Sequence, residues 1–528
     1  MTGILRSMLS ISVATVLSRV TGYGRWMAQA AVLATGLVAD AYTASILLPS
    51  LIYELFMGGI LYSIFIPVLI DRITKHGEED ARLLTNALFT LVLPLMLVLS
   101  LIGIVFAEPL VGLVTNFQAA ESLSPREIEE VQGLAAFFFR IFVLQMFFYG
   151  ISTIGTGVLQ AHRRFFLPTF APVLNNLLVI ASFVAYHFLR QSDERLALYT
   201  LAFGVTVGVA VMALALVPTM LALGYRPRLQ FGHPALIPTA RLAGPMVVLV
   251  AASVGFQLFG AYLATGFRGG VASMNYAFTI FSLPYGVFVV AVTTALMPEL
   301  SEKYSRSDTD GYRDTFSFGL RTMVFVVVPS VVGLISLSQP IVGLLYERGN
   351  FDATDTRIVA GLLVVYAAGL LGYSVYFYLV RAFYSRQNTR TPALLNVVIF
   401  LLYAALAYGL SRIWGIAGVV LGLAVAYSVL AVLSLAAMRR ATGRLDGRRM
   451  MGSFLRMLVA GAAMYAVAVT GTTLLGVGSN FMDRLITIVA VGGVSLAVYL
   501  GVAYLLGTEE LRAVLTLVRR RSAEKAAG

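Results

Sequence analysis

The sequence predicts an all-α integral membrane protein with about fourteen transmembrane helices. Two observations lead there. Of 528 residues, 59% are hydrophobic and only 12% charged, and the mean hydropathy of +0.86 lies far outside the range of soluble globular chains. In addition, apolar runs of the roughly 20 residues that a spanning helix needs recur from end to end.

Gly, Pro and charged punctuation sets the element boundaries. The first run, 8–33, tolerates Arg19 and Arg25 inside it, and 40–70 contains Pro49 and Pro67. The charged stretch "HGEEDAR" precedes 84–107, and "SPREIEEVQG" precedes 133–160. The run 166–189 lies between "AHRR" and "RQSDER", and 197–223 stops at "GYRPR". The next runs are 237–265, 271–300, 319–345 and 356–384, separated by "FRGG", "SRSDTDGYRD" and "ERGNFD". The segment "SRQNTRTP" opens 391–411, "SRIWG" divides it from 415–438, and 453–475 and 484–506 close the series. An amphipathic helix is expected to start at Ser124 or Pro125, and the tail "TEELRAVLTLVRRRSAEKAAG" reads as an interfacial helix or as a final topology signal.

With the N-terminus inside, loops on the cytoplasmic side hold about three times as many Lys and Arg residues as those outside, which favours this orientation with both termini cytoplasmic. The net charge of +12 is thus topological, and no nucleic-acid partner is expected. Cysteine is absent, which excludes disulfides and thiolate chemistry. The four histidines, His76, His162, His187 and His233, share no spacing, so no metal site is expected. None of the lysines, at 75, 303 and 525, follows a glycine, so a phosphate-binding loop and direct nucleotide-driven pumping are excluded. The first run, broken by Arg19, lacks a cleavage-like site and is not read as a removable signal.

Leu48-Pro49 and Pro67 recur as Leu283-Pro284 and Pro298, and "PVLNN" from Pro172 resembles "PALLN" from Pro392. These offsets, about 220 to 235 residues, predict two six-helix lobes related by a pseudo-twofold along the membrane normal. The expected division is 1–223 and 224–440 for the lobes, 441–507 for two extra helices and 508–528 for a basic cytoplasmic tail.

A guanidinium at mid-bilayer costs roughly 2.5 to 3.5 kcal/mol, so Arg19 and Arg25 require an explanation. They stand about 240° apart on a regular helix, a phase that Gly22 and Gly24 would alter by bending it. In one reading an arginine snorkels while the other pairs with Asp40 or Glu54. In the other they line a cationic cavity whose guanidinium forks match phosphate oxygens, joined by Arg140 and Arg381. Pro49, Pro67, Pro284 and Pro298, with Gly22, Gly24, Gly58 and Gly59, are the hinge candidates.

The segments "LSRVTGYGR", "VADAYTASILLP", "RRFFLPTFAPVLNN", "LYERGNFDATDT" and "RAFYSRQNTRTP" resemble the MurJ (MviN) family of lipid II flippases, in the multidrug/oligosaccharidyl-lipid/polysaccharide exporter superfamily. The resemblance implies alternating access around a central cationic cavity, with a groove for the polyprenyl tail on the last two helices. It implies transfer of a polyprenyl-diphosphate-linked peptidoglycan precursor, lipid II, from the inner to the outer leaflet of the bacterial cytoplasmic membrane. No cofactor and no enzymatic activity are expected; the implied partners are lipid II, membrane lipids and cell-wall synthesis proteins.

Arg19, Arg25 and Asp40 match charged positions of that family. Tyr53 and Glu54 stand where it carries an arginine pair, Phe278 and Thr279 where it carries Asp-Arg, and Trp26 where an acid is common. No carboxylate suited to a sodium site falls within the seventh, eleventh or twelfth helix. These departures keep three alternatives open: a flippase for another lipid-linked oligosaccharide, a cation-coupled drug exporter, and a non-transporting scaffold for cell-wall synthesis.

Overall fold

The computed structural model describes residues 2–54, 65–120, 122–238, 254–443 and 445–512, with side chains from Ser10 onward. Among these no strand occurs, and ten helices are long and apolar enough to cross a membrane. Part of the difference from fourteen has identifiable causes. Arg390–Thr442 counts once although its backbone leaves helical geometry at Trp414 and Gly415. The runs expected at 40–70 and 237–265 enter 55–64 and 239–253, outside the described residues, as are Gly58, Gly59 and the tail helix expected beyond 512.

The chain forms two compact units, Met1–Ala272 with Arg348–Phe351, and Ser273–Glu347 with Asp352–Gly528. The first contains α1 (Thr2–Leu33), α2 (Leu37–Glu54), α3 (Ile66–His76), α4 (Glu78–Val105), α5 (Ala107–Val114), α6 (Pro125–Phe142), α7 (Gln145–Ala161), α8 (Phe166–Leu189), α9 (Glu194–Leu214), α10 (Val217–Ala222) and α11, described over Val254–Ala264. α1 packs along α8, α8 along α9, α2 along α6 and α4 along α7.

Local chemistry explains the ends. Gly77, at φ 89, separates α3 from α4, a conformation that only glycine adopts without strain. Ser124 and Glu127 form a capping box at the start of α6. That start is where the sequence places it, and the helix runs on into the expected span as far as Phe142. At the end of α1, Asn350 donates its backbone N–H to Ala31 O at 2.8 Å and its side-chain N–H to Val32 O at 2.6 Å. Gly349 has φ +62, and a Cβ there would stand 2.3 Å from Ala31 O. The "RGN" of the loop is thus a cap for the carbonyls that α1 leaves unpaired.

The second unit contains most of α12 (Gly270–Pro284), a π-helical turn (Tyr285–Val289), α13 (Val290–Ser305), α14 (Thr309–Ser336), α15 (Ser338–Tyr346), α16 (Ala353–Ser385), α17 (Arg390–Thr442), α18 (Gly447–Leu475) and α19 (Phe481–Leu505). The two halves of α17 fold onto each other. Cβ atoms at Gly418 and Gly422 would come within 2.1 Å of Leu410 O and 2.7 Å of Ala407 N, the small-residue contact by which apolar helices approach closely. Gly369 and Gly372 of α16 meet Ala424 and Ser428 in the same way.

Two ionic clasps close this unit. Arg484 donates to Gly343 O and Gly478 O and pairs with Glu347. Arg321, 5% exposed, lies 2.8 Å from Glu509 and 2.9 Å from Glu510, while Arg449 reaches Glu509 at 2.6 Å. Ser453 Oγ donates to Glu510, so α14, α18 and the segment after α19 share one cluster.

Hydrogen bonds from Arg449 and then Arg321 hold the Glu509 carboxyl down at about 2 from an ordinary 4.5. A depressed acid contributes its stability in full above its unfolded pKa and loses it as pH falls through the folded value. Between pH 4.5 and about 2 the unfolding temperature of the purified protein is therefore expected to fall more steeply than that of Glu509→Gln. Parallel curves would show that the carboxylate contributes nothing.

Candidate functional site

In the first unit the candidate site is built on α1, which is helical without interruption through Gly22 and Gly24. The bend considered from the sequence is absent here. A Cβ at either glycine would make ordinary contacts, 3.6 Å from Asn176 Nδ2 and 3.5 Å from Ile180, so both lie against α8. Asn176 of the "PVLNN" segment donates to Thr21 Oγ1 at 3.1 Å and fixes this packing. With α1 regular, Arg19 and Arg25 stay about 9 Å apart along the axis and on different faces.

Arg19 is exposed and Arg25 half-buried. Arg25 lies over the Trp26 ring at 5.3 Å, a cation–π contact, and within electrostatic range of Tyr42 and Tyr149. Tyr42 is wedged edge-on against Phe138 and Phe142 of α6, and Tyr149 stacks on Tyr53 at 4.3 Å. An aromatic surround thus positions the guanidinium. Among the described residues neither Arg19 nor Arg25 forms an ion pair.

The carboxylates expected to neutralise them are engaged elsewhere. Asp40, 1% exposed, accepts from the backbone N–H of Ala272 at 3.1 Å and lies within electrostatic range of those of Gly269, Gly270 and Val271. It caps the first turn of α12, where orphan donors and the helix dipole favour an anion. Glu54 accepts from Gln257 Nε2 at 3.4 Å. Arg140 pairs with Glu108 of α5 at 2.8 Å, and it stands about 200° around α6 from Phe138 and Phe142. The structure therefore does not bring Arg140 to Arg25.

In the second unit Arg381 is exposed on α16, within electrostatic range of Tyr285 and Tyr384. Tyr285 also meets Tyr373 and Phe377, which meet Tyr427. Pro284 immediately precedes the π-helical turn, in which the N–H of Val290 reaches Tyr285 O. Pro49 lies buried in α2, which stays helical across it.

Sequence reasoning missed the Asp40 cap, both ionic clasps and two histidine–carboxylate pairs, His162 with Glu78 and His233 with Asp80. The one available signal was Arg321 within the otherwise apolar "FGLRTMVFVV".

The helical fold is shared with solved structures of membrane transporters. A multidrug resistance MATE family transporter in an inward-facing conformation superposes with a TM-score of 0.66 at 14% identity, over 84% of this chain and 99% of that one. A lipid II flippase MurJ in an inward closed conformation superposes with a TM-score of 0.75 at 24% identity, over 94% and 98%. The family described as lipid II flippase MurJ matches residues 29–490, and the chain belongs to it. Relatives include the probable lipid II flippase MurJ of Bdellovibrio bacteriovorus, 30% identical over 96% of each chain. The lipid II flippase MurJ of Burkholderia cenocepacia is 27% identical over 80% of this chain and 81% of its own.

Proposed function

We propose that this chain is a flippase that moves lipid II from the inner to the outer leaflet of the bacterial cytoplasmic membrane by alternating access, and that Arg19 and Arg25 hold its diphosphate. One observation carries the reading: two guanidinium groups lie within the apolar reach of α1 without a carboxylate partner among the described residues. Intramembrane charge of this kind is costly and marks substrate pathways. The aromatic surround of Arg25 adds hydrophobic contact and excludes competing water, which strengthens each hydrogen bond made to an anion.

Arg381 offers a second-unit guanidinium to the same class of ligand, and Arg140 engages an anion only by leaving Glu108. Asp40 acts here through α12 and not by neutralising Arg19 or Arg25. Glu54 repels a diphosphate unless its bond to Gln257 holds it aside. Pro49, Pro284, Gly22 and Gly24 remain the proposed hinges, and the π-helical turn after Pro284 favours that site over the other three. The working division keeps two six-helix lobes, 1–223 and 224–440, a helix pair at 441–507 and a basic tail at 508–528. Both termini are placed in the cytoplasm, where the tail meets anionic lipids and cell-wall synthesis proteins.

Transfer makes and breaks no bond. An inside-negative potential favours outward movement of an anion by roughly 2.3 kcal/mol per charge per 100 mV, so no nucleotide is required. Tyr53, Glu54 and Thr279, at positions where the family carries arginines, favour a second reading with a different lipid-linked headgroup.

Both readings are separated by rescue of growth in a bacterium depleted of its own lipid II flippase. The parent chain is expected to rescue. Failure at matched membrane levels, with a known flippase rescuing in parallel, would move the second reading to the front.

A further inference from the structure

A cleft of about 570 Å³ opens on the second unit where the turn between α13 and α14 meets the ends of α16 and α17. Its lining is polar: Lys303, Ser305, Ser307, Asp308, Gln387 and Arg386 contribute, with Tyr304 and Tyr312. The Arg386 guanidinium sits 5.3 Å from the Tyr304 ring and 5.6 Å from the Tyr312 ring, and its Nη2 donates to Ala441 O at 2.7 Å. Tyr312 is itself fixed by donating to Ala382 O at 2.9 Å. The guanidinium is thus pre-positioned by two rings and one carbonyl, which leaves donors on its Nε and Nη1.

The charges around it decide the sign of a ligand. Lys303 is compensated by Glu299 at 2.7 Å, and Arg313 by Asp310 at 2.9 Å. Asp308 spends one oxygen on the N–H of Gly311 as the cap of α14. Among the described residues Arg386 has no ion-pair partner, and the lining itself carries two cations, Lys303 and Arg386, against the one carboxylate of Asp308.

Backbone geometry points the same way. Of four non-glycine residues with positive φ among the described residues, Ser307 and Gln387, both at φ 58, line this cleft. Each occupies the left-handed position after a helix end, where glycine costs nothing and any other residue is strained. The strain sets a hydroxyl and an amide at the cleft, and such strained positions cluster at ligand sites.

We infer that this cleft binds a phosphate-bearing ligand, with Arg386 as the anion contact and Ser307 and Gln387 as neutral donors. The inference is independent of the transport reading. The same chemistry is offered by the headgroup of an anionic membrane lipid and by a soluble phosphate ester.

The test uses the full chain in nanodiscs, with hydrogen exchange read over 303–312 and 383–391. Glycerol 3-phosphate is titrated in phosphatidylcholine discs, and phosphatidylglycerol is added to the discs in a separate arm. The parent is expected to gain protection in at least one arm. Arg386→Gln is expected to weaken the response about tenfold, as loss of a charge-assisted hydrogen bond does, and Arg386→Lys to restore part of it. Gln387→Glu leaves the stacked guanidinium in place and adds an opposing charge, so it is expected to weaken the response even if Arg386→Gln folds poorly. Protection by glycerol 3-phosphate assigns a soluble ester, and protection only with phosphatidylglycerol assigns a lipid. No protection in either arm, or equal protection in the parent and Gln387→Glu, overturns the proposal.

Discussion

Arg25→Ala is expected to lower lipid II translocation by about 10- to 100-fold in proteoliposomes at matched protein levels, the loss of one or two charge-assisted hydrogen bonds to a phosphate. The substitution is informative because of what it leaves behind. Arg25 has no carboxylate partner among the described residues, so its removal orphans no buried charge. The folding cost is confined to the stacking on Trp26, about 0.5 to 1 kcal/mol. A transport defect with a near-parental unfolding temperature would therefore belong to the substrate. Arg25→Lys keeps the charge but loses the bidentate fork, and an intermediate rate is expected. Parental translocation by Arg25→Ala would remove this residue from the site and leave Arg19 to carry the reading alone.

The second large effect concerns stability. Arg321→Met is expected to destabilise the protein by about 3 to 5 kcal/mol, because breaking a buried ion pair leaves the remaining charge uncompensated. Glu510 is 1% exposed, and Arg321 is its ion-pair partner at 2.9 Å. Thermal unfolding of the purified variant measures the loss. Adding Glu510→Gln is expected to recover much of it, since the double variant no longer strands a charge. An unchanged midpoint in Arg321→Met would mean that the cluster is held together by helix packing and not by its charges.

The elements were legible because hydropathy and punctuation are local properties. The helix at 166–189 has the bounds its flanking "AHRR" and "RQSDER" suggest, and the capping box at Ser124 is written in four consecutive residues. The turn at Trp414 and Gly415 falls where "SRIWG" divides two apolar runs. Arg19 and Arg25 were recognisable as anomalies for the same reason, being charged residues in an apolar setting.

Their partners were not legible, because a partner depends on which distant segment folds alongside. Asp40 could be assigned to an arginine by charge alone, whereas its carboxylate meets the backbone at 269–272 and accepts from the N–H of Ala272, a main-chain partner that no side-chain pattern marks. Arg140 looked like a cavity residue amid phenylalanines. Its helix phase turns it instead to Glu108 on a short helix that the sequence did not announce. Gly22 and Gly24 signal flexibility in sequence, yet here they serve close packing against α8.

The π-helical turn after Pro284 has a consequence for how this chain tolerates length changes. Such a turn is a regular helix with one residue too many, the surplus being absorbed by a wider loop of backbone that closes from Val290 to Tyr285. Deleting one residue among Tyr285–Val289 would restore an ordinary ladder and leave the same side of Val290–Ser305 toward its neighbours. A deletion at a regular stretch of the same helix would instead turn everything downstream by about 100°. The turn is therefore a place where this chain tolerates the loss of one residue without changing which side chains face inward.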